Sequence, residues 1–255
     1  MYHIFMNSCM IHLSASTKKL ILCFLLGFVI FSFAFAQGKA AGDSDMAKIY
    51  LTDAGPTPGN SGNFWRGLDG TVVDLRPWGG AATDATGVFY LATDGKTLFV
   101  RAEVSDASPQ FQLNDTPISQ VYNLTSIEVF FGTTTKRHDA YDDSDSQLTI
   151  WVIRNDNGEM KVMAGRNRRL ANDRQYKAAV VEWKEKSYII EASFPLDYLG
   201  IYQPLKANQK VRCEFRINHA KPKATRSVIV NWKTPTDRAY TTPSTWSDGI
   251  VVKKN

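Results

Sequence analysis

Apolar and polar positions alternate with a period of two along most of the chain after residue 47, the spacing of strands that bury one face. In residues 126–131, Ile127, Val129 and Phe131 take one side against Glu128 and Phe130, and residues 146–152 alternate again. Leu98, Val100, Ala102 and Val104 point the same way in residues 97–104, as do Tyr188, Ile190, Ala192 and Phe194 in residues 187–194. Turn chemistry separates such runs: Asp94-Gly95, Asn155-Asp156-Asn157-Gly158 and Lys184-Glu185-Lys186 each join two of them. Further runs fall at 48–52, 71–75, 88–92, 161–164, 176–183, 211–218, 228–232 and 249–252, and a single helical turn is expected at 196–199 after Pro195. The pattern predicts an all-β protein, an antiparallel two-sheet β-sandwich of about ten to twelve short strands with minimal helix.

The first residues do not belong to that pattern. Lys18 and Lys19 precede an apolar run ending in Ala34-Phe35-Ala36, an A-x-A cleavage signal, so residues 1–36 read as a secretory signal peptide. The expected product is secreted or periplasmic, with a flexible leader at 37–47 and one domain at 48–255. Cys9 and Cys23 leave with the signal peptide, and Cys213 remains as a small buried residue on a strand. Loss of Lys18 and Lys19 lowers the net charge from +5 to +3. That is too little, and too evenly spread, for a nucleic-acid binder; the cluster Arg166, Arg168 and Arg169 reads as a solvated turn.

Two residues mark a candidate site at the central strand. Tyr122 stands at its mouth and Glu128 on its open side, where a ring can stack and a carboxylate can accept from hydroxyls. Asp139, Asp142, Asp143, Ser144 and Asp145 follow as a dense oxygen cluster of the kind that holds a hard cation. In the Gly- and Pro-rich stretch 53–70, Trp65 is expected in the core, and Trp78 is expected exposed in a loop at 77–87.

The order Tyr122, Ser126-Ile127-Glu128, then Tyr141-Asp142-Asp143, Asp145 and Gln147 resembles the family 9 carbohydrate-binding modules of bacterial xylanases and related secreted proteins. The ends of later strands continue the likeness, in Phe215-Arg216-Ile217-Asn218 and in the stretch 230–246 with its Trp, Pro-Thr, Tyr240 and Pro-Ser-Thr-Trp246. The resemblance implies a non-catalytic sandwich that binds a mono- or oligosaccharide, or a plant or microbial polysaccharide such as xylan, in the service of a separate glycan-degrading enzyme. It places Tyr122 and Tyr240 as clamp aromatics, Asp237 as a polar ligand-binding side chain and Trp246 as a packing ring. It also implies structural calcium, for which Asp142, Asp143 and Asp145 are the candidates. Two departures accompany it: both clamp positions are Tyr where familiar members have Trp, and Thr149 stands where they have an Arg, a role that Arg216 is placed to fill.

A pyranose shows apolar C–H faces and a belt of hydroxyls, so aromatics suit the faces and multivalent polar groups suit the belt. Tyr122 and Tyr240 fit the first task; Glu128, Gln147, Asp237, Arg216 and Asn218 fit the second. Two alternatives use the same fold. Glu128 with Glu191 is a candidate acid/base pair for a glycan hydrolase, which needs carboxylates about 5 to 9 Å apart. His219 with Met160 or Met163 is a candidate pair of haem ligands, as in the redox domains of a related sandwich superfamily.

Overall fold

The computed structural model describes residues 46–79, 84–112, 116–172, 174–221 and 226–254. The signal peptide and nearly all of the leader lie outside the described residues, as does the side chain of Trp78. Gly38–Asn255 forms a single compact unit.

The described residues contain fourteen strands: β1 (Ala47–Leu51), β2 (Thr71–Val73), β3 (Leu75–Gly79), β4 (Ala85–Thr93), β5 (Thr97–Asp106), β6 (Ser126–Gly132), β7 (Asp145–Arg154), β8 (Met160–Arg166), β9 (Arg169–Leu170), β10 (Lys177–Lys184), β11 (Ser187–Pro195), β12 (Lys210–Ala220), β13 (Arg226–Asn231) and β14 (Ser247–Lys253). The two beyond the expected number are β3, which runs from Leu75, the end of an expected run, into the stretch from Pro77 read as loop, and the two-residue β9. Leu199 N donates to Leu196 O at 3.0 Å, closing residues 196–199 as a plain turn. The helical turns lie elsewhere among the described residues, as short 3₁₀ segments at Ile118–Asn123 and Pro243–Thr245.

Hydrogen bonding runs unbroken through the order β10-β11-β5-β4-β1-β14-β12-β6-β7-β8-β9, with β2 added to β4, β13 added to β12 and β3 added to β13. The expected division into two sheets is therefore not drawn by the pairing. One sheet curls until β10 lies against β8. The pieces that join the halves are β1 and β14, and β1 pairs in parallel with both β14 and β4. An antiparallel partner usually arrives through a hairpin, and β1 has none, so its direction is free of that constraint.

Inside the curl, Ile127, Val129, Leu148, Ile150, Phe215 and Ile217 pack with Phe89, Leu91, Leu98, Val100 and Phe194. The rings of Phe89 and Phe215 meet at 5.1 Å across this core. Cys213 is buried there, and burial pushes its thiol well above the ordinary value. Trp65 is buried as expected, in a smaller cluster with Tyr50, Tyr90 and Phe99.

The other face of β6, β7 and β12 is the one that matters for function. Sequence alternation makes it an open polar face, yet every residue of β6 is buried. The cover is the segment 232–246, whose Ala239 and Trp246 pack on Phe130 together with Tyr141 and Tyr240.

Candidate functional site

Cross-strand register builds the floor. Arg216 on β12, Glu128 on β6 and Thr149 on β7 lie opposite one another in one row, and Glu214, Phe130 and Gln147 form the next. Because neighbours directly opposite share a face, a polar row stands beside a row centred on an aromatic ring.

The covering segment is held down by buried polar groups. Glu214 accepts from the backbone N–H of Trp232 at 2.7 Å and of Thr234 at 2.9 Å, and from the Thr234 hydroxyl at 2.8 Å. Burial raises the Glu214 carboxyl above its ordinary value against the pull of these donors. Asn231 donates to the carbonyls of Thr234 and Thr236 and accepts from Arg216 Nε at 3.0 Å. Farther on, Trp246 Nε1 donates to Ala239 O at 2.8 Å, and Arg212 donates to Pro243 O at 2.8 Å. Thus fixed, the segment brings Asp237 and Tyr240 over the row that contains Glu128.

The 3₁₀ segment Ile118–Asn123 forms another wall. Val121 is buried against Trp151 and Ile153, which leaves the next residue, Tyr122, 37% exposed at the rim. Between floor and walls lies a cavity of about 140 Å³. Tyr122, Glu128, Gln147, Arg216, Asp237 and Tyr240, six of the seven ligand-binding candidates, line it together with Thr149, Arg168 and Arg226. Asn218 stands behind the lining, fully buried, and donates to Glu128 Oε1 at 2.9 Å.

The polar groups form a connected set. Glu128 Oε2 accepts from Gln147 Nε2 at 3.2 Å and is 3.8 Å from Arg216 Nη1. Arg216 Nη1 is 2.8 Å from Asp237 Oδ1, and Arg226 Nη2 is 3.3 Å from Asp237 Oδ2. Arg216 Nη2 is buried and has no hydrogen-bond partner among the described residues. Both clamp candidates carry a guanidinium: Arg226 lies over the Tyr122 ring at 4.8 Å and Arg168 over the Tyr240 ring at 5.1 Å.

Arg168 and Arg226 were not expected here. Arg168 sits with Asn167 in the tight turn joining β8 to β9, at φ 62° and 48° respectively; the turn is exposed, and Arg168 also lines the cavity. A four-residue turn of the type that accepts left-handed residues was the signal available in the sequence.

The aspartates considered for calcium are divided. Asp145, fully buried, receives Arg212 Nη2 at 3.2 Å on one oxygen and His138 Nε2 at 2.5 Å on the other. Asp142 accepts from the N–H and hydroxyl of Ser144 and lies near His138, whereas Asp143 is outside the close group His138, Asp142 and Asp145. Calcium takes six to eight oxygens; a guanidinium and an imidazole hold that place here, so the donor set does not fit it. Hydrogen bonding to Asp145 raises the His138 imidazole above its ordinary 6.5.

Of the residues of the two alternatives, Glu128 lines the cavity, whereas Glu191, His219, Met160 and Met163 do not. Glu191 on β11 accepts from Arg101, Ser61 and the N–H of Gly59 and is not part of the lining. His219 is buried with its Nδ1 2.8 Å from Asp106, while Met160 on β8 is exposed.

A curled all-β fold with a polar and aromatic cavity beneath a covering segment defines a ligand-binding module. The family model described as "Carbohydrate family 9 binding domain-like" matches residues 59–254, and the chain belongs to that family. Among solved structures it is similar to a family 9 carbohydrate binding module from Caldicellulosiruptor kristjanssonii in complex with cellotriose, at 20% identity and TM-score 0.61, covering 82% of this chain and 95% of that one. A structure from the same organism in complex with glucose matches at 21% identity and TM-score 0.59, covering 82% and 97%. These likenesses show the fold. No curated protein matches the chain.

Proposed function

We propose that the protein binds a carbohydrate without chemistry, and that the cavity receives one sugar ring. Tyr122 and Tyr240 offer apolar surface to the ring's faces, while Glu128, Gln147, Arg216 and Asp237 meet its hydroxyls. The observation that carries this reading is the gathering of these side chains, from four separate parts of the chain, around one cavity. Family membership and the cellotriose and glucose bound by similar structures support it. At about 140 Å³ the cavity is well below the roughly 300–1,000 Å³ of sites for drug-sized ligands, so a single terminal ring suits it, with the rest of a glycan outside. Export after removal of residues 1–36 would place the module where polysaccharide is met, alone or beside a glycan-degrading enzyme. The role of a binding module, together with the isolation of Glu191 from the cavity, favours this over hydrolysis.

A glycan array followed by titration calorimetry on the best hit tests the reading. Saturable binding lost in Glu128→Gln and Tyr240→Ala is expected. Binding of no glycan, or release of reducing sugar that Glu128→Gln abolishes, would overturn it.

A further inference from the structure

We propose that the sugar this cavity selects is acidic, a hexuronate whose carboxylate is received by Arg168 and by the buried Nη2 of Arg216. The inference rests on the sugar-binding reading above. Three guanidiniums, Arg168, Arg216 and Arg226, line the cavity against two carboxylates, Glu128 and Asp237. Both carboxylates are already engaged from within the fold. Asp237 bridges Arg216 and Arg226, and Glu128 takes the amides of Asn218 and Gln147. One positive charge is left over at the wall.

Two details locate where it acts. Arg216 is 1% exposed, lines the cavity, lies over the Phe130 ring at 5.5 Å and keeps Nη2 without a hydrogen-bond partner among the described residues; a buried donor left unmade is costly, and a ligand oxygen that reaches it would satisfy it. Arg168 lies over the Tyr240 ring and has no carboxylate partner among the described residues. A guanidinium stacked on a ring keeps all five in-plane N–H donors, the fork that matches a planar carboxylate. A neutral hexose offers only hydroxyls to these donors and leaves the surplus charge unanswered. A carboxylate replacing the exocyclic hydroxymethyl group answers both.

Calorimetric titration of the purified protein with glucuronate, galacturonate, glucose and glucose 6-sulfate tests this. At least one hexuronate should bind roughly tenfold or more tightly than glucose, and salt should weaken the hexuronate but not glucose. Arg168→Asn, chosen because Asn tolerates the left-handed backbone, should fold normally and reduce the preference to about onefold. Glucose binding as tightly as both hexuronates would overturn the inference while leaving the sugar-binding reading standing. If neither these four nor any other glycan binds, both are overturned. Tighter binding of the sulfate ester than of either hexuronate would overturn the assignment to a carboxylate, and a preference that survives Arg168→Asn would overturn the role of Arg168.

Discussion

Two buried glutamates of this protein, Glu191 and Glu128, have the same chemistry and nearly the same burial, 1% and 2% exposed. Glu191 is saturated by the fold: Arg101 Nη1 and the Ser61 hydroxyl lie 2.6 Å from one oxygen, and Gly59 N lies 2.9 Å from the other. It ties the opening loop to the sheet. Glu128 has two amide partners, with its nearest guanidinium 3.8 Å away, and it faces a cavity. A charge held on all sides serves the structure, whereas the one held from behind and facing a cavity is the one we propose for the ligand. Burial alone does not separate the two cases; the completeness of the partner set does.

The largest way to break the comparison is at Glu191. Glu191→Gln takes from Arg101 its buried carboxylate and leaves it, among the described residues, only the more exposed Glu103, and should cost about 3 kcal/mol of stability by chemical denaturation, as breaking a buried pair does. Sugar affinity of the folded protein should not change. The next effect is at Glu128, where Glu128→Gln should remove about 2 kcal/mol of sugar affinity, more than tenfold, through the loss of charge-assisted hydrogen bonds. Its effect on stability should be smaller than that of Glu191→Gln; the reverse order would collapse the distinction. Tyr122→Ala or Tyr240→Ala should each cost about 1.5 kcal/mol of affinity, roughly tenfold, with stability little changed, because Tyr122 lies at the rim and Tyr240 is only half-buried.

Smaller effects concern the segment outside the cavity. The His138 imidazole is raised above 6.5 chiefly by its bond to Asp145, so the charged form is favoured in the folded state. Its contribution to stability is full below pH 6.5 and disappears as pH rises through the raised folded value. His138→Gln should flatten that part of the stability profile, as read by melting temperature against pH. Chelator should leave the melting curve of metal-stripped protein unchanged from that of calcium-supplemented protein, because Arg212 and His138 already answer Asp145.

How much of this was legible in the sequence follows from the range of the interactions. Strands such as β5, β6 and β11 declare themselves through period-two alternation, and Asp94-Gly95 fixes its hairpin locally, Asp94 Oδ1 accepting from the N–H groups of Lys96 and Thr97. The parallel pairing of β1 and the continuity of the sheet depend on partners at opposite ends of the chain, which no local pattern encodes. The face bearing Glu128 reads as open because alternation reports only the strand itself. Its cover, residues 232–246, has no period and is held by Glu214 and Asn231 from neighbouring strands. Tyr122, Glu128, Gln147, Arg216, Asp237 and Tyr240 were found through their resemblance to a known order of residues and through their outward positions. Arg168 was missed because a long side chain's reach is set by the backbone turn beneath it, and a run of arginines in a turn resembles any solvated loop.

The most direct test of the account is a crystal structure of the protein with its best-binding glycan. A terminal ring should lie between Tyr122 and Tyr240, with ring oxygens or hydroxyls within about 3 Å of Glu128 and Asp237. A glycan seated elsewhere on the protein, with these four side chains making no contact to it, would contradict it.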